Sequence, residues 1–263
     1  MKYAILGSGS SANSYIFEHD GFAFVVDNGF SLREFTARSE SMGFDISAVK
    51  FIFLTHRHID HSRGIGALSK KLKIPVVMCR DVSFEKTESK RIYKRLDVEP
   101  GRSYSYSGLD FSVFPISHDS PGSVSYSFTI AGYTFTLITD TGIILKDMEK
   151  HALKSDILFL EANYCPVMLE EGPYPVYLKK RIDSEHGHLS NNAAVEFLSR
   201  LYLKGAGKTR MTYLCHLSDT NNCCEKLEDI IKSIMPGTFR YRVCRKGEPV
   251  PGISLCETEE MYG

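Results

Sequence analysis

Four potential metal ligands, His56, His58, Asp60 and His61, lie within six positions of the sequence, directly after an apolar run. Imidazole nitrogens and carboxylate oxygens suit zinc and other divalent first-row metals, and one structural ion rarely needs four ligands this close together. Alternate side chains of an extended segment share a face, so His56 and His58 can reach one ion. Asp60 and His61 lie past the turn and can reach another. The motif therefore predicts a two-ion site at a strand end, and a histidine-rich loop without metal is the alternative.

Other acids and histidines follow other strand-like apolar runs: Asp27, His118, Asp140 and His216. Strands hold their ends rigidly, and the loops beyond them can converge on one cleft. Taken singly, His118 or His216 would more often be a hydrogen-bonded histidine at a sheet edge than a ligand. In combination with the first motif, both are expected to be ligands. His19 and His151 have no such context and are expected to be surface or loop residues.

The pattern His-x-His-x-Asp-His after a hydrophobic strand resembles the signature of the metallo-β-lactamase fold superfamily of hydrolases. The resemblance implies an α/β fold, the αββα metallo-β-lactamase-type sandwich, with two divalent metal ions, Zn or Mn. It also implies a support near the site, Asp27, and a bridging carboxylate, Asp140. The implied metal ligands are His56, His58 and His118 for one ion, Asp60, His61 and His216 for the other, and Asp140 for both.

A narrower resemblance runs from the first strand to about Asn222. The segments Gly7–Ser14, Glu161–Tyr164, Gly187–Asn191 and His216–Ser218 resemble the bacterial YycJ branch of this superfamily, also called WalJ. Proteins of that branch are regarded as metal-dependent nucleases with 5′-to-3′ exonuclease activity on DNA. The resemblance therefore implies nucleic acid, with DNA favoured, as the substrate.

The Gly-His-Leu-Ser element can also be interpreted without the family. The residues after Ser190 have a helical pattern with a Ser or Asn cap, so His188 is expected just before a helix N-terminus. Free backbone N–H groups and the helix dipole make such a position favourable for a phosphate. We therefore predict that His188, Ser190 and Asn191 bind substrate. The alternative is that His188 only caps its own helix.

A two-metal hydrolysis is the predicted mechanism. Ions about 3.5–4 Å apart share a bridging water and lower its pKa toward neutrality. Asp60 and Asp140 are expected to orient the ions and the hydroxide, and His188 is expected to bind a phosphate oxygen or to help the leaving oxygen acquire a proton. Asp119 and Ser120 are predicted to support His118 because they adjoin it.

Charge restricts how a polyanion can bind. The chain has 32 basic and 32 acidic residues, so no global positive field attracts nucleic acid, and a local patch is needed. Lys179–Arg181 and His186 form one candidate patch near His188. Lys86–Arg95 forms another, but a solvated helix face with i,i+4 ion pairs explains this segment equally well.

Composition predicts a single domain over residues 1–263, because 43% hydrophobic content allows a full core. Ten strand-like runs alternate with helical segments, the latter at Leu32–Met42, Gly64–Leu72, Asn191–Leu203 and Cys223–Ile234. The N-terminus has no signal core and no stretch is long enough to cross a membrane, so we expect a cytoplasmic protein without a membrane partner. Seven cysteines without a Cys-x-x-Cys spacing indicate reduced thiols and no disulfide-linked partner.

Two alternative functions remain open. The same dimetal site can hydrolyse a cyclic phosphodiester, a thioester or a lactone, and the ligands alone do not choose among them. A non-catalytic interaction module is an alternative of another class, but an intact ligand set argues against it. The small residues of the loop Gly7–Ser14 are expected to let backbone N–H groups line the mouth of the metal cleft.

Overall fold

The computed structural model describes residues 1–85, 91–205, 209–235 and 239–255. In chain order its strands are β1 Lys2–Gly7, β2 Ser14–His19, β3 Phe22–Val26, β4 Val49–Phe53, β5 Pro75–Cys79, β6 Lys94–Val98, β7 Ser103–Tyr106, β8 Leu109–Pro115, β9 Val124–Ile130, β10 Tyr133–Ile138, β11 Ile157–Glu161, β12 Met211–Cys215, β13 Tyr241–Val243 and β14 Val250–Pro251. Within these residues they form two seven-stranded sheets, ordered β14-β1-β2-β3-β4-β5-β6 and β13-β12-β11-β10-β9-β8-β7.

Helices cover the outer faces of both sheets. They are α1 Leu32–Ser41, α2 Ile59–Ser62, α3 Ile65–Leu72, α4 Lys146–Ala152, α5 Pro166–Glu171, α6 Val176–Ile182, α7 Asn191–Leu203 and α8 Cys224–Ile234, with a 3₁₀ turn at Ile46–Ala48. Among the described residues, none of these helices is long and apolar enough to cross a membrane. The result is the predicted αββα sandwich.

The inner faces of the sheets meet through aromatic side chains. Phe17 of β2 stacks on Phe24 of β3 at 4.8 Å between ring centroids, and Phe24 lies 4.8 Å from Phe128 of β9. Phe17 also packs edge-on against Phe135 of β10 at 5.2 Å. Each fully buried phenylalanine contributes about 1.5–3 kcal/mol of burial free energy, so these rings hold the two sheets together.

Strands β11 and β12 are buried along their whole length, and β10 is buried at every residue except Thr134. In β11, Ile157 and Phe159 point into the core between the sheets, whereas Leu158 and Leu160 pack against α4, α7 and α8. Alternation of side chains along a strand produces this division. The parallel pairing of β10, β11 and β12 brings their carboxyl ends to one edge of the sheet.

The predicted strands and helices are all present, with ends within two residues of those expected. The short edge strands β6, β7, β13 and β14 and the helices α2, α4, α5 and α6 were not predicted. Their sequences carry little apolar periodicity; α6, for example, has no buried residue.

The segment Lys86–Arg95 is not a helix where it is described. Residues 86–90 lie outside the described residues, and Lys94 and Arg95 begin β6. Arg95 donates to the carbonyls of Val82, Cys79 and Arg80, so its charge has a structural function. The helical alternative is therefore wrong at its C-terminal end.

Cysteines in the described part of the chain, at positions 79, 165, 215, 223, 224 and 244, are all free thiols. Cys215 is buried in the core, and Cys224 begins α8 directly after Cys223. The single-domain extent and the cytoplasmic location stay predictions.

Candidate metal centre

The segments that follow β4, β8, β10 and β12 converge on one cleft. Three site residues there adopt the left-handed backbone conformation, namely Asp27, Asp140 and His216, with φ of 55°, 57° and 58°. Residues other than glycine seldom adopt this conformation, and at functional sites the surrounding structure maintains it. It redirects each side chain at the point where its strand ends.

One cluster consists of three histidines, His56, His58 and His118, whose potential ligand atoms all lie within 4.8 Å of one another. The Nε2 of His118 is 3.1 Å from the Nδ1 of His58. The Thr55 hydroxyl lies 3.0 Å from the Nδ1 of His56, and the Nε2 of His56 is buried without a hydrogen-bond partner. Three ring nitrogens therefore converge on one position.

A second cluster consists of Asp60, His61 and His216, again with ligand atoms within 4.8 Å. The Asp60 Oδ2 lies 3.3 Å from the Nε2 of His61 and 3.5 Å from the Nε2 of His216. Asp140 lies between the clusters, with its Oδ2 3.2 Å from the Nε2 of His61 and its Oδ1 3.9 Å from the Nε2 of His118. All seven sequence-predicted ligands are thus brought together.

Hydrogen bonds on the far side of each ring fix which nitrogen faces the cleft. The Nδ1 of His61 lies 2.7 Å from Asp27 Oδ2, and the Nδ1 of His216 lies 2.8 Å from Glu161 Oε1. The Nδ1 of His118 lies 3.1 Å from the carbonyl oxygen of Gly187. An acceptor at Nδ1 holds the proton there and leaves the Nε2 lone pair for a metal. The predicted supporting role of Asp27 is confirmed.

The two clusters differ in electrostatics. Burial lowers the pKa of His56, of His58 and of His118, so these rings are neutral near pH 7. Burial acts in the same direction on His61 and His216, but Asp140, Asp60 and a supporting carboxylate outweigh it and hold the pKa of each ring well above its usual range. The first cluster is therefore ready to bind a cation, whereas the second must lose protons to do so.

This donor set fits two divalent ions. The Nε2 of His56 is buried without a hydrogen-bond partner, although such atoms are normally satisfied. Each cluster presents three nitrogen or carboxylate donors with Asp140 available to both, which suits zinc and other first-row metals.

His188 lies beside the second cluster and is held by Glu161. Its Nδ1 is 2.8 Å from Glu161 Oε1 and 3.7 Å from Asp140 Oδ1, and its side chain is 21% exposed. Glu161 is fully buried, and its Oε2 accepts from the backbone N–H groups of Thr141 and Leu189. His188 therefore does not cap its own helix through its side chain.

The N-terminus of α7 is not the free anion site that the sequence suggested. The Ser190 side chain accepts from the N–H of Ala193, and the N–H of Asn191 donates to the carbonyl of Tyr164. Glu161 accepts a hydrogen bond from the N–H of Leu189, and its negative charge therefore lies where a phosphate was expected.

Asn191 is fully buried, and its amide pairs reciprocally with Asn222 at 2.8 Å. Its side chain is not available to a substrate, and Ser190 acts as the helix cap. The substrate-binding prediction for Asn191 is thus contradicted by its burial, and that for the Ser190 hydroxyl is replaced by capping.

Asp119 and Ser120 behave differently from the expectation that both support His118. The Asp119 carboxylate lies 3.5 Å from the Nε2 of His58 and 3.6 Å from that of His118, and Arg181 donates to it at 2.5 Å. The Ser120 hydroxyl is buried without a hydrogen-bond partner. The carbonyl of Gly187 instead orients His118.

Two residues of the Gly7–Ser14 loop reach the site through side chains, and the backbone N–H of Asn13 also donates to the carbonyl of Asp60. Asn13 Nδ2 lies 3.1 Å from Asp60 Oδ2 and 2.9 Å from the Nε2 of His61. The Ser8 hydroxyl accepts from the N–H of His216. The run of small residues signalled a close approach of this loop, but only the fold identifies its partners.

Two histidines outside the site also differ in setting. His19 ends β2 beside Asp20, whereas His151 belongs to α4 and stacks on Phe114 at 4.6 Å. The expectation of a surface or loop position is therefore wrong for His151.

The model of the beta-lactamase superfamily domain matches residues 23–217, which include all seven proposed ligands. The chain belongs to the metallo-β-lactamase superfamily. It is 31% identical over 231 residues to the exodeoxyribonuclease WalJ of Streptococcus pneumoniae serotype 2, covering 86% of this chain and 84% of that protein. It is 29% identical over 233 residues to the exodeoxyribonuclease YycJ of Bacillus anthracis, covering 86% and 85%.

The superfamily fold is also seen in solved structures. The metallo-β-lactamase fold protein YhfI from Bacillus subtilis superimposes with a TM-score of 0.71 at 16% identity, covering 95% of this chain and 99% of that one. Together with the curated exonuclease relatives, the family assignment makes the chain a metal-dependent hydrolase of the WalJ and YycJ branch.

Proposed function

We propose that the chain is a dimetal phosphodiesterase that degrades DNA from the 5′ end toward the 3′ end. Support comes from the relatives named exodeoxyribonuclease and from the geometry of the cleft. In this proposal His56, His58 and His118 hold one ion, Asp60, His61 and His216 hold the second, and Asp140 contacts both.

Two ions at this position would supply a hydroxide at neutral pH and polarise the phosphate oxygens. The residues of the protein itself orient the proposed ligands. Asp27, Glu161 and the Gly187 carbonyl hold the ligand rings in orientation. Asn13 fixes Asp60 in place by donating to it.

The observation that carries the proposal is the Glu161–His188 pair. Glu161 accepts from Nδ1 of His188, so the Nε2 of that ring is directed away from the buried carboxylate and the side chain is partly exposed beside Asp140. A histidine backed by a buried carboxylate can bind a phosphate oxygen and deliver a proton to the leaving oxygen of a phosphodiester. Both actions assist a poor alkoxide leaving group.

The mouth of the centre is partly open and carries the Arg181–Asp119 ion pair. The side chains of His58 and Asp119 are about a third exposed, and Arg181 adjoins them with Lys180 nearby on the exposed side of α6. An open mouth with cationic side chains suits a polymer strand that enters along the surface.

The test is hydrolysis of single- and double-stranded DNA, labelled at the 5′ or the 3′ end, by the protein depleted of metal and refilled with manganese or zinc. We expect stepwise release of nucleotides from the 5′ end. His58→Ala should lose turnover and bound metal, whereas His188→Ala should retain metal and lose about 10²–10⁴-fold in kcat. His19→Ala is the matched control, because His19 lies outside the site, at the end of β2 beside Asp20.

Retained turnover in His58→Ala would contradict the ligand assignment. If the protein hydrolyses a small cyclic phosphodiester or a thioester but does not cleave DNA, the small-molecule hydrolase alternative is favoured instead. Full activity of His188→Ala would remove His188 from the catalytic group and leave the metal ligands unaffected.

A further inference from the structure

Helix α6 presents one face to solvent, and that face changes character along its length. Val176, Tyr177, Lys180 and Arg181 are exposed, whereas the helix residues between them are half-buried. Side chains at i and i+4 lie on the same side of a helix, so Val176 precedes Lys180 and Tyr177 precedes Arg181 on this surface. The face is therefore apolar at its start and basic at its end.

The basic end of this face is attached to the metal centre. Arg181 donates to Asp119 at 2.5 Å, and the same carboxylate lies 3.5 Å from the Nε2 of His58. Tyr177 lies four residues before Arg181, which is about 6 Å along the helix axis. The exposed tyrosine therefore lies one helical turn from the arginine that contacts Asp119 at the mouth of the centre.

The exposure of this tyrosine requires a reason. Tyr177 is 75% exposed and its neighbour Val176 is 67% exposed, on a helix that has no buried residue. Val167 on the preceding helix α5 is 58% exposed. Large apolar side chains held in water beside a basic surface are typical of sites where aromatic rings stack on nucleobases while cations follow the phosphates.

We propose that Tyr177 is a stacking platform for a nucleobase of the DNA strand next to the scissile phosphate, with the exposed Lys180 placed against its phosphates. The proposal rests on the nuclease function proposed above. It assigns to α6 the grip on single-stranded substrate that the N-terminus of α7 does not provide. Because every base has a flat aromatic face, this contact holds the strand without selecting its sequence.

The experiment measures kcat and KM of the manganese-loaded full chain on single-stranded oligonucleotides. Tyr177→Ala should raise KM about 10-fold and leave kcat within about twofold, whereas Tyr177→Phe should keep the wild-type KM because the ring is retained. Tyr202→Ala is the matched control, since Tyr202 is 58% exposed on α7 and lines a different cavity. Hydrolysis of methyl p-nitrophenyl phosphate, which has no nucleobase, should be unchanged in all three variants.

An oligonucleotide series with a single abasic position identifies the contact. One abasic position should raise the wild-type KM as much as Tyr177→Ala does, and should add little to the KM of that variant. Wild-type cleavage of DNA with an unchanged KM in Tyr177→Ala overturns the stacking site and leaves the nuclease function intact. Failure of the wild type to cleave DNA, with turnover of the small diester, overturns both proposals.

Discussion

Replacing Glu161 by glutamine removes a negative charge without changing the shape of the side chain. The Oε1 of Glu161 lies 2.8 Å from Nδ1 of both His188 and His216, and its Oε2 accepts from the N–H groups of Thr141 and Leu189. Four donors therefore converge on two oxygens. A glutamine has only one carbonyl oxygen, so its NH₂ group must face two of these donors whichever way the amide is turned.

The loss of stability in Glu161→Gln follows from the number of donors around this side chain. Two hydrogen bonds to a charged acceptor are lost, each worth about 1.5–3 kcal/mol, and the site is fully buried, so water cannot replace them. We expect Glu161→Gln to lower the free energy of unfolding by about 3–6 kcal/mol and to reduce kcat about 10–100-fold, because His188 and His216 both lose their orientation.

Urea denaturation of the metal-free protein measures the first effect and steady-state hydrolysis of labelled DNA measures the second. Glu34→Gln is the control: Glu34 is half exposed and pairs with Arg38, so its substitution should change stability by less than about 0.5 kcal/mol. A Glu161→Gln protein with wild-type stability and wild-type kcat would refute the argument that one carboxylate holds both histidines.

Three further outcomes follow from the structure. Asp27→Asn should weaken binding of the ion at Asp60 and His61 about 10–100-fold in metal titrations, because Asp27 fixes the ring of His61 from 2.7 Å, and unchanged affinity would contradict this. Gly29→Ala should reduce the metal content measured by mass spectrometry to one ion, because its new Cβ would lie 1.9 Å from the carbonyl oxygen of Asp60. Gly21→Ala, which is strained by a φ of 74° but meets no atom within 4 Å, controls for general destabilisation and should keep both ions. Calorimetry in buffers of different ionisation enthalpy should detect release of about two protons from the histidine rings on binding the second ion and about none on binding the first. The reason is that the pKa is raised for His61 and His216 and lowered for the histidines of the other cluster. Equal release at both steps would refute that asymmetry.

The sequence was sufficient to predict which side chains converge, because the chain groups them. His56, His58, Asp60 and His61 form one motif, and His118, Asp140 and His216 each follow an apolar run that the structure shows as a strand. The convergence of the strand ends follows from that pattern, whereas the sandwich was predicted from the family resemblance that the motif carries.

The residues that hydrogen-bond the proposed ligands were not predictable in the same way, because they come from distant parts of the chain. Asn13 precedes its partner Asp60 by 47 residues, and Gly187 follows His118 by 69. A supporting carbonyl such as that of Gly187 leaves no mark on side-chain identity. The expected anion site at α7 failed for the same reason, since Glu161, 28 residues before Leu189, occupies it.

Charge balance connects these distant contacts with metal loading. Four carboxylates, those of Asp27, Asp60, Asp140 and Glu161, are wholly or mostly buried around the site, and buried charges require compensation. One divalent ion together with protonated His61 and His216 leaves this centre electrically neutral. Two divalent ions with both rings deprotonated would leave it neutral again, before the charge of a hydroxide is counted. Proton release at the second step thus follows from the number of buried carboxylates, and the supports that fix ring orientation also set the charge that the site can accept.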